Sequence, residues 1–201
     1  LEKVDASQVV IDGDQVTLGT NQEMDLGGIA KGYTSARVME IFREYGITSG
    51  MVSLGGNVQT LNTRPDGKPW QIGIQNPNGQ QGSLLAVLSV ENKAVITSGG
   101  YERYFEEDGN TYIHILDPKT GYPADSGLVS VSVISENGML ADALSTSLYL
   151  MGEEQAAGYW LTHADEFDMI LETEDGTLYV TEGISQEIPT DNTTIVLNTE
   201  E

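Results

Sequence analysis

The chain has 201 residues, a length that favours one domain with a substantial core over two. It carries 31 acidic against 9 basic residues, a formal net charge of -22, which repels nucleic acid and anionic lipid and admits a diphosphate only where cations or a metal intervene. Hydrophobic residues at 39% and 23 glycines suit a folded, loop-rich chain with strands, and the absence of cysteine excludes disulfides and thiolate metal sites.

Taken in order, Val9 to Leu18 reads as a hairpin, because Asp12-Gly13 separates two short apolar runs. Nothing before Val9 resembles a domain start, no stretch approaches a membrane span, and the first residue is Leu1. We therefore expect an excised or processed piece with any targeting segment upstream. Val38, Ile41, Phe42 and Tyr45 recur at helical spacing with Gly46 after them, which predicts a helix starting near Lys31 or Gly32. Met51 to Leu54 is a short strand closed by a Gly55-Gly56-Asn57 turn. Trp70, Ile72 and Ile74 alternate as a half-buried strand does. Leu84 to Val90 and Ala94 to Thr97 are expected strands, joined as a hairpin through Glu91-Asn92-Lys93, and Thr97 to Tyr101 reads as a flexible polar turn.

Strands are expected at Tyr112 to Leu116 and Leu128 to Ser135, then a helix from about Leu140 to Met151 and another from Glu153 to His163. Phe167 to Glu172 and Thr177 to Thr181 form a last hairpin through Asp175-Gly176, and the polar tail after Ile188 reads as frayed.

Several stretches carry chemistry. Asp142 and Thr146 lie at i and i+4, one turn apart on one helix face and off the stripe of Leu140, Leu144, Leu148 and Met151. Two oxygens so placed can hold a hard cation such as Mg²⁺. Asp25 to Gly32 puts glycines and Lys31 at a helix N-terminus, where free N–H groups favour an anion, although the spacing fits neither the Walker pattern nor G-x-G-x-x-G. His114 stands on a predicted strand beside an Asp117-Pro118 turn, and His163 reads as a C-terminal helix cap. There is no G-x-S-x-G, H-E-x-x-H or EF-hand loop, which argues against those chemistries.

DLGGIAKGY, SLGGNV, WQIGIQNP, TSGGYERYF, HILDPKTGYP and ADALST occur in that order between about Ile11 and Thr181. Together they resemble the ApbE family of flavin transferases. The resemblance implies an α+β, T-fold-like architecture of curved antiparallel sheets packed by a few helices. It implies transfer of FMN from FAD to a Thr or Ser hydroxyl of a target protein, with Mg²⁺ required and AMP released. By position, Asp142 and Thr146 match the family's metal-binding side chains, with Ser145 beside them, and Gly28 the residue whose carbonyl joins them. Asp25, Lys31 and Leu116 match FAD-contacting positions, and His114 matches the base that activates the acceptor hydroxyl. The implied partners are FAD and an acceptor flavoprotein, such as a subunit of a redox pump, with no nucleic acid. The implied location is extracytoplasmic, with lipid anchoring through an upstream segment, the chain being the C-terminal portion of the family domain. Two rival readings are an FAD pyrophosphatase, in which water replaces the acceptor, and a flavin-binding module without catalysis. A binding module has no need of a base, so His114 with Asp142 and Thr146 argues against the latter.

Overall fold

The computed structural model describes residues 1–80, 82–189 and 193–199. The chain opens with a small hairpin, β1 (Val10–Asp12) and β2 (Gln15–Thr17), turned at Gly13 as the Asp-Gly signal predicts. Helix α1 (Ala30–Glu44) ends where sequence places its stop. Gly46 adopts a positive φ, its N–H bonds to the Arg43 carbonyl, and the Ile47 N–H bonds back to Phe42, so the last carbonyls are satisfied by a Schellman closure.

The predicted apolar stripe of α1 is only half turned inward, Val38 and Phe42 being half-buried. Ile41 and Tyr45 are exposed, while Gly32, Ser35 and Met39 are buried. The helix turns its small residues inward because another helix passes very close, as described below.

Strands β3 (Gly50–Leu54) and β4 (Asn57–Leu61) form a hairpin through Gly55 and Gly56. Both glycines have positive φ, as a two-residue primed turn requires, and the turn fixes Asn57 as the first residue of β4, opposite Leu54. A second hairpin follows, β5 (Trp70–Gln75) with β6 (Leu84–Val90). Then come β7 (Ala94–Gly99), a 3₁₀ turn at Gly100–Glu102, the hairpin of β8 (Tyr104–Glu107) and β9 (Asn110–Ile113), and β10 (Leu128–Ser135). Helix α2 (Gly138–Leu161) is interrupted at Gly152, whose φ of 75° and ψ of 174° are not helical, so the two predicted helices meet there end to end. The chain closes with β11 (Asp168–Thr173), β12 (Leu178–Thr181), a 3₁₀ turn at Glu182–Glu187 and β13 (Thr194–Leu197).

Seven strands make the main sheet in the order β13-β12-β11-β10-β7-β4-β3, antiparallel except for the β12–β13 pair. Alternate side chains on its central strands go to opposite faces. Ile96, Val131, Val133, Met169 and Leu171 pack with Leu144, Leu148 and Trp160 of α2. Val95, Ile134, Ile170 and Val180 pack with Ile72, Ile74, Leu88 and Val90 of the β5–β6 hairpin. The result is a helix layer, a sheet and a hairpin layer, the mixed α+β arrangement of antiparallel sheets that the sequence suggests.

Three further sequence expectations are corrected. β6 and β7 are not hairpin partners: β6 pairs with β5, and β7 with β10 and β4, so the chain turns a corner between layers at Glu91 to Lys93. Thr97 to Gly99 continue β7 in full register with β10 rather than forming a polar turn. The tail after Ile188 returns to the sheet as β13; its residues 190–192 and 200–201 lie outside the described residues.

Candidate active site at the crossing of two helices

The site begins where α1 meets α2. A methyl group added to Gly32 would collide with the Gly138 carbonyl and lie 2.6 Å from the Asp142 Cβ. Only glycine permits this approach, and it brings the first turn of α1 onto the Asp142 carboxylate. The Gly32 N–H donates to Asp142 Oδ2 at 2.7 Å. Asp142 thus caps a helix from 110 positions away in the chain, as a carboxylate at a helix N-terminus is suited to do. A continuing helix would send that N–H to the Gly28 carbonyl, so the carbonyl is spared this bond.

The bland expectation for an Asp on a helix, that it faces water, fails here. Asp142 is 4% exposed. Its other oxygen, Oδ1, accepts from Asn57 Nδ2 at 2.9 Å. The opposite end of that amide, Asn57 Oδ1, accepts from Lys31 Nζ at 3.2 Å. One turn along α2, Thr146 is half-buried and its hydroxyl lies 3.1 Å from Ser98 Oγ on β7. Ser98 also bonds Ser145 Oγ at 2.8 Å, and Ser145 donates to the Asp142 carbonyl.

These groups open on a cleft of about 970 Å³. Asp25, Gly28, Lys31, His114, Leu116, Asp142 and Thr146 all line it, so the seven residues singled out from sequence converge on one cavity. Asp25 is exposed and its Oδ1 accepts from the Gly27 N–H at 2.6 Å, which shapes the glycine loop ahead of α1. Leu116 is 53% exposed and presents an apolar surface to the cleft.

His114 lies just beyond the end of β9 rather than within a strand. Its backbone N–H donates to the Arg103 carbonyl at 3.1 Å, and its Nδ1 lies 3.2 Å from the same oxygen. A carbonyl only accepts, so this contact favours the tautomer with its proton on Nδ1 and its lone pair on Nε2. The second histidine is elsewhere: His163 Nδ1 bonds the Tyr159 carbonyl at 2.8 Å and its ring stacks on Tyr159, a helix-end role as expected.

Three contributors escape the sequence reading. Asn57 reads there only as part of a turn, Ser98 as part of a flexible loop, and Arg103, which brings another cation to the cleft wall, carries no local signal. The donor set suits a cation that takes few ligands from protein. Among the described residues no three His, Cys, Asp or Glu side chains group as a metal cage. One carboxylate, one hydroxyl and a spared carbonyl match the habit of Mg²⁺, which keeps waters and phosphate oxygens as its other ligands.

The described fold and sequence have known counterparts. The family model described as the ApbE family matches residues 1–171. The chain is 40% identical over 153 residues to an FAD:protein FMN transferase of Klebsiella pneumoniae, covering 76% of this chain and 46% of that protein. It is 39% identical over 155 residues to one of Vibrio cholerae, again covering 76% and 46%. Among solved structures, the ApbE protein from Thermotoga maritima superposes with a TM-score of 0.84 at 33% identity, over 94% of this chain and 62% of that one. The flavin transferase ApbE from Vibrio cholerae gives 0.80 at 30% identity, over 92% and 59%. The chain spans about half the length of the curated relatives it matches. Matched by the family model over most of its length, and sharing its fold with solved members, this chain belongs to the ApbE family.

Proposed function

We propose that the chain forms the catalytic portion of a Mg²⁺-dependent FAD:protein FMN transferase, with a Thr or Ser hydroxyl as acceptor. The observation that carries the reading is the convergence of the Asp142–Thr146 pair, Lys31 and His114 on one cleft in a protein whose net charge is -22. An anionic cofactor needs a local exception to that charge, and Lys31 and Arg103 supply it.

His114 Nε2 takes the proton of the acceptor hydroxyl as its oxygen attacks the phosphorus of the FMN half of FAD. The new phosphoester bond forms as the bridging P–O bond breaks, and AMP departs with that bridging oxygen. Lys31 offsets charge that builds on the diphosphate. Asp142 and Thr146, with the Gly28 carbonyl, would hold the metal. Once bound, Mg²⁺ supplies Lewis-acid neutralisation of phosphate oxygens. Leu116 offers an exposed apolar surface in the cleft for a ring system.

A second reading follows from the exposure of His114: water reaches the same base, and the chain then hydrolyses FAD to FMN and AMP. The experiment incubates the chain with FAD and Mg²⁺, with and without a Thr-containing acceptor protein, and measures AMP and protein-bound flavin. Flavin on the acceptor, matched by AMP, supports the transferase. Steady AMP without acceptor supports the hydrolase, and intact FAD in every condition refutes both.

A further inference from the structure

The proposed metal ligand and the proposed phosphate-binding cation are close neighbours of opposite charge, yet they do not pair. Lys31 is in none of the ion pairs among the described residues. What separates it from Asp142 is the amide of Asn57, which is itself 2% exposed. Its NH₂ faces the carboxylate at 2.9 Å and its oxygen faces the ammonium at 3.2 Å. An amide has a donor end and an acceptor end, so it satisfies an anion on one side and a cation on the other without carrying charge.

We propose that Asn57 is a positioning residue, a neutral spacer that keeps Lys31 from collapsing onto Asp142. The proposal rests on the metal and diphosphate reading of the cleft. Lysine has a flexible stem of four carbons and moves easily over the width of one amide. A direct Lys31–Asp142 pair would neutralise the carboxylate that a divalent cation needs and the ammonium that a phosphate needs. With the spacer in place each keeps its charge for its own ligand. Two features of the chain hold the spacer. The Gly55-Gly56 turn sets Asn57 at the start of β4, and burial allows the amide no water to replace either partner.

The test has two arms. In the first, without metal, Lys31→Met and Asp142→Asn are combined in a double-mutant cycle of chemical unfolding, once with Asn57 and once in Asn57→Ala. With Asn57 present the two sites are coupled less than about twofold in the unfolding constant; in Asn57→Ala the coupling rises to roughly fivefold as the pair forms. Strong coupling already present with Asn57, or none in Asn57→Ala, overturns the spacer role.

In the second arm Mg²⁺ alone is titrated calorimetrically into the wild type, Asn57→Ala, Lys31→Met and the Asn57→Ala/Lys31→Met double variant. Asn57→Ala weakens Mg²⁺ by about tenfold, and removing Lys31 as well restores it, because no cation is left to compete. A purely structural defect would not be repaired by a second deletion, so failure of the rescue overturns the proposal. Unchanged Mg²⁺ affinity in Asn57→Ala overturns it too. Should Asn57→Ala not fold, Asn57→Ser, too short to reach between the two partners, carries the same expectations in both arms. A folded wild type that takes no Mg²⁺ refutes the metal reading itself, while the first arm still judges the spacer.

Discussion

At the scale of single residues, Asp142 carries two burdens. It is the proposed metal ligand, and it also accepts from Gly32 N–H and Asn57 Nδ2 in a buried setting. Asp142→Ala therefore leaves two donors without partners. It should lower stability by about 1–3 kcal/mol, read from a denaturant melt, while also abolishing Mg²⁺-dependent AMP release. A variant with wild-type turnover would remove Asp142 from the metal site. His114 makes a cleaner subject, because it is exposed and, among the described residues, hydrogen-bonded to the Arg103 carbonyl alone. His114→Asn should leave FAD affinity near normal and slow FMN transfer by about 10²–10⁴-fold. If FAD binding falls as well, the ring belongs to the pocket rather than to the chemistry. The Asp142–Thr146 pair was legible because helical spacing is local and the apolar stripe orients it. Asn57 was not: its hydrogen bond to Asp142 joins positions 85 apart, and no short stretch of sequence encodes that.

At the scale of elements, local signals served well and long-range pairing did not. Gly46 closes α1, Asp12-Gly13 and Asp175-Gly176 mark their turns, and Gly152 divides α2 between the two predicted helices. The Thr97 to Gly99 stretch misled because serine and glycine favour turns in isolation, whereas here β10 and α2 take up their backbone and hydroxyl groups. The start of α2 was also set late in the sequence reading, since Gly138 and Met139 give little periodic signal. The start signal lies just ahead: Asn137 Oδ1 accepts from the N–H groups of Met139 and Leu140, each at 3.1 Å. Asn137→Ala should cost about 1 kcal/mol of stability by loss of this cap. The thermal melt is the measurement, and an unchanged midpoint would mean that packing of Leu144 and Leu148 alone fixes the helix start.

At the scale of the whole molecule, the hairpin layer is fastened to the sheet partly through a buried acid. Glu172 on β11 is 4% exposed and accepts from Asn78 Nδ2, in the β5–β6 loop, at 2.8 Å, and from Ser130 Oγ at 3.4 Å. Burial pushes its carboxyl above the ordinary 4.5, and these two hydrogen bonds only partly offset that. The folded state then holds the proton more tightly than the unfolded chain, so this group's contribution to stability falls as pH rises from 4.5 through the raised value. Glu172→Gln should melt higher than the wild type at neutral pH, with the difference closing below 4.5. A constant difference across pH would show that Glu172 does not titrate in that window. The layered fold as a whole serves the helix crossing, because α2 rests on the sheet core through Leu144, Leu148 and Trp160 and presents Asp142 and Thr146 to the cleft. The most direct test of that account is the affinity for FAD, titrated fluorimetrically in Mg²⁺ and in EDTA, for the wild type and Asp142→Asn. Mg²⁺ should tighten FAD binding in the wild type and have no effect in the variant. Equal affinity with and without Mg²⁺ in the wild type, or an undiminished Mg²⁺ effect in Asp142→Asn, would contradict it.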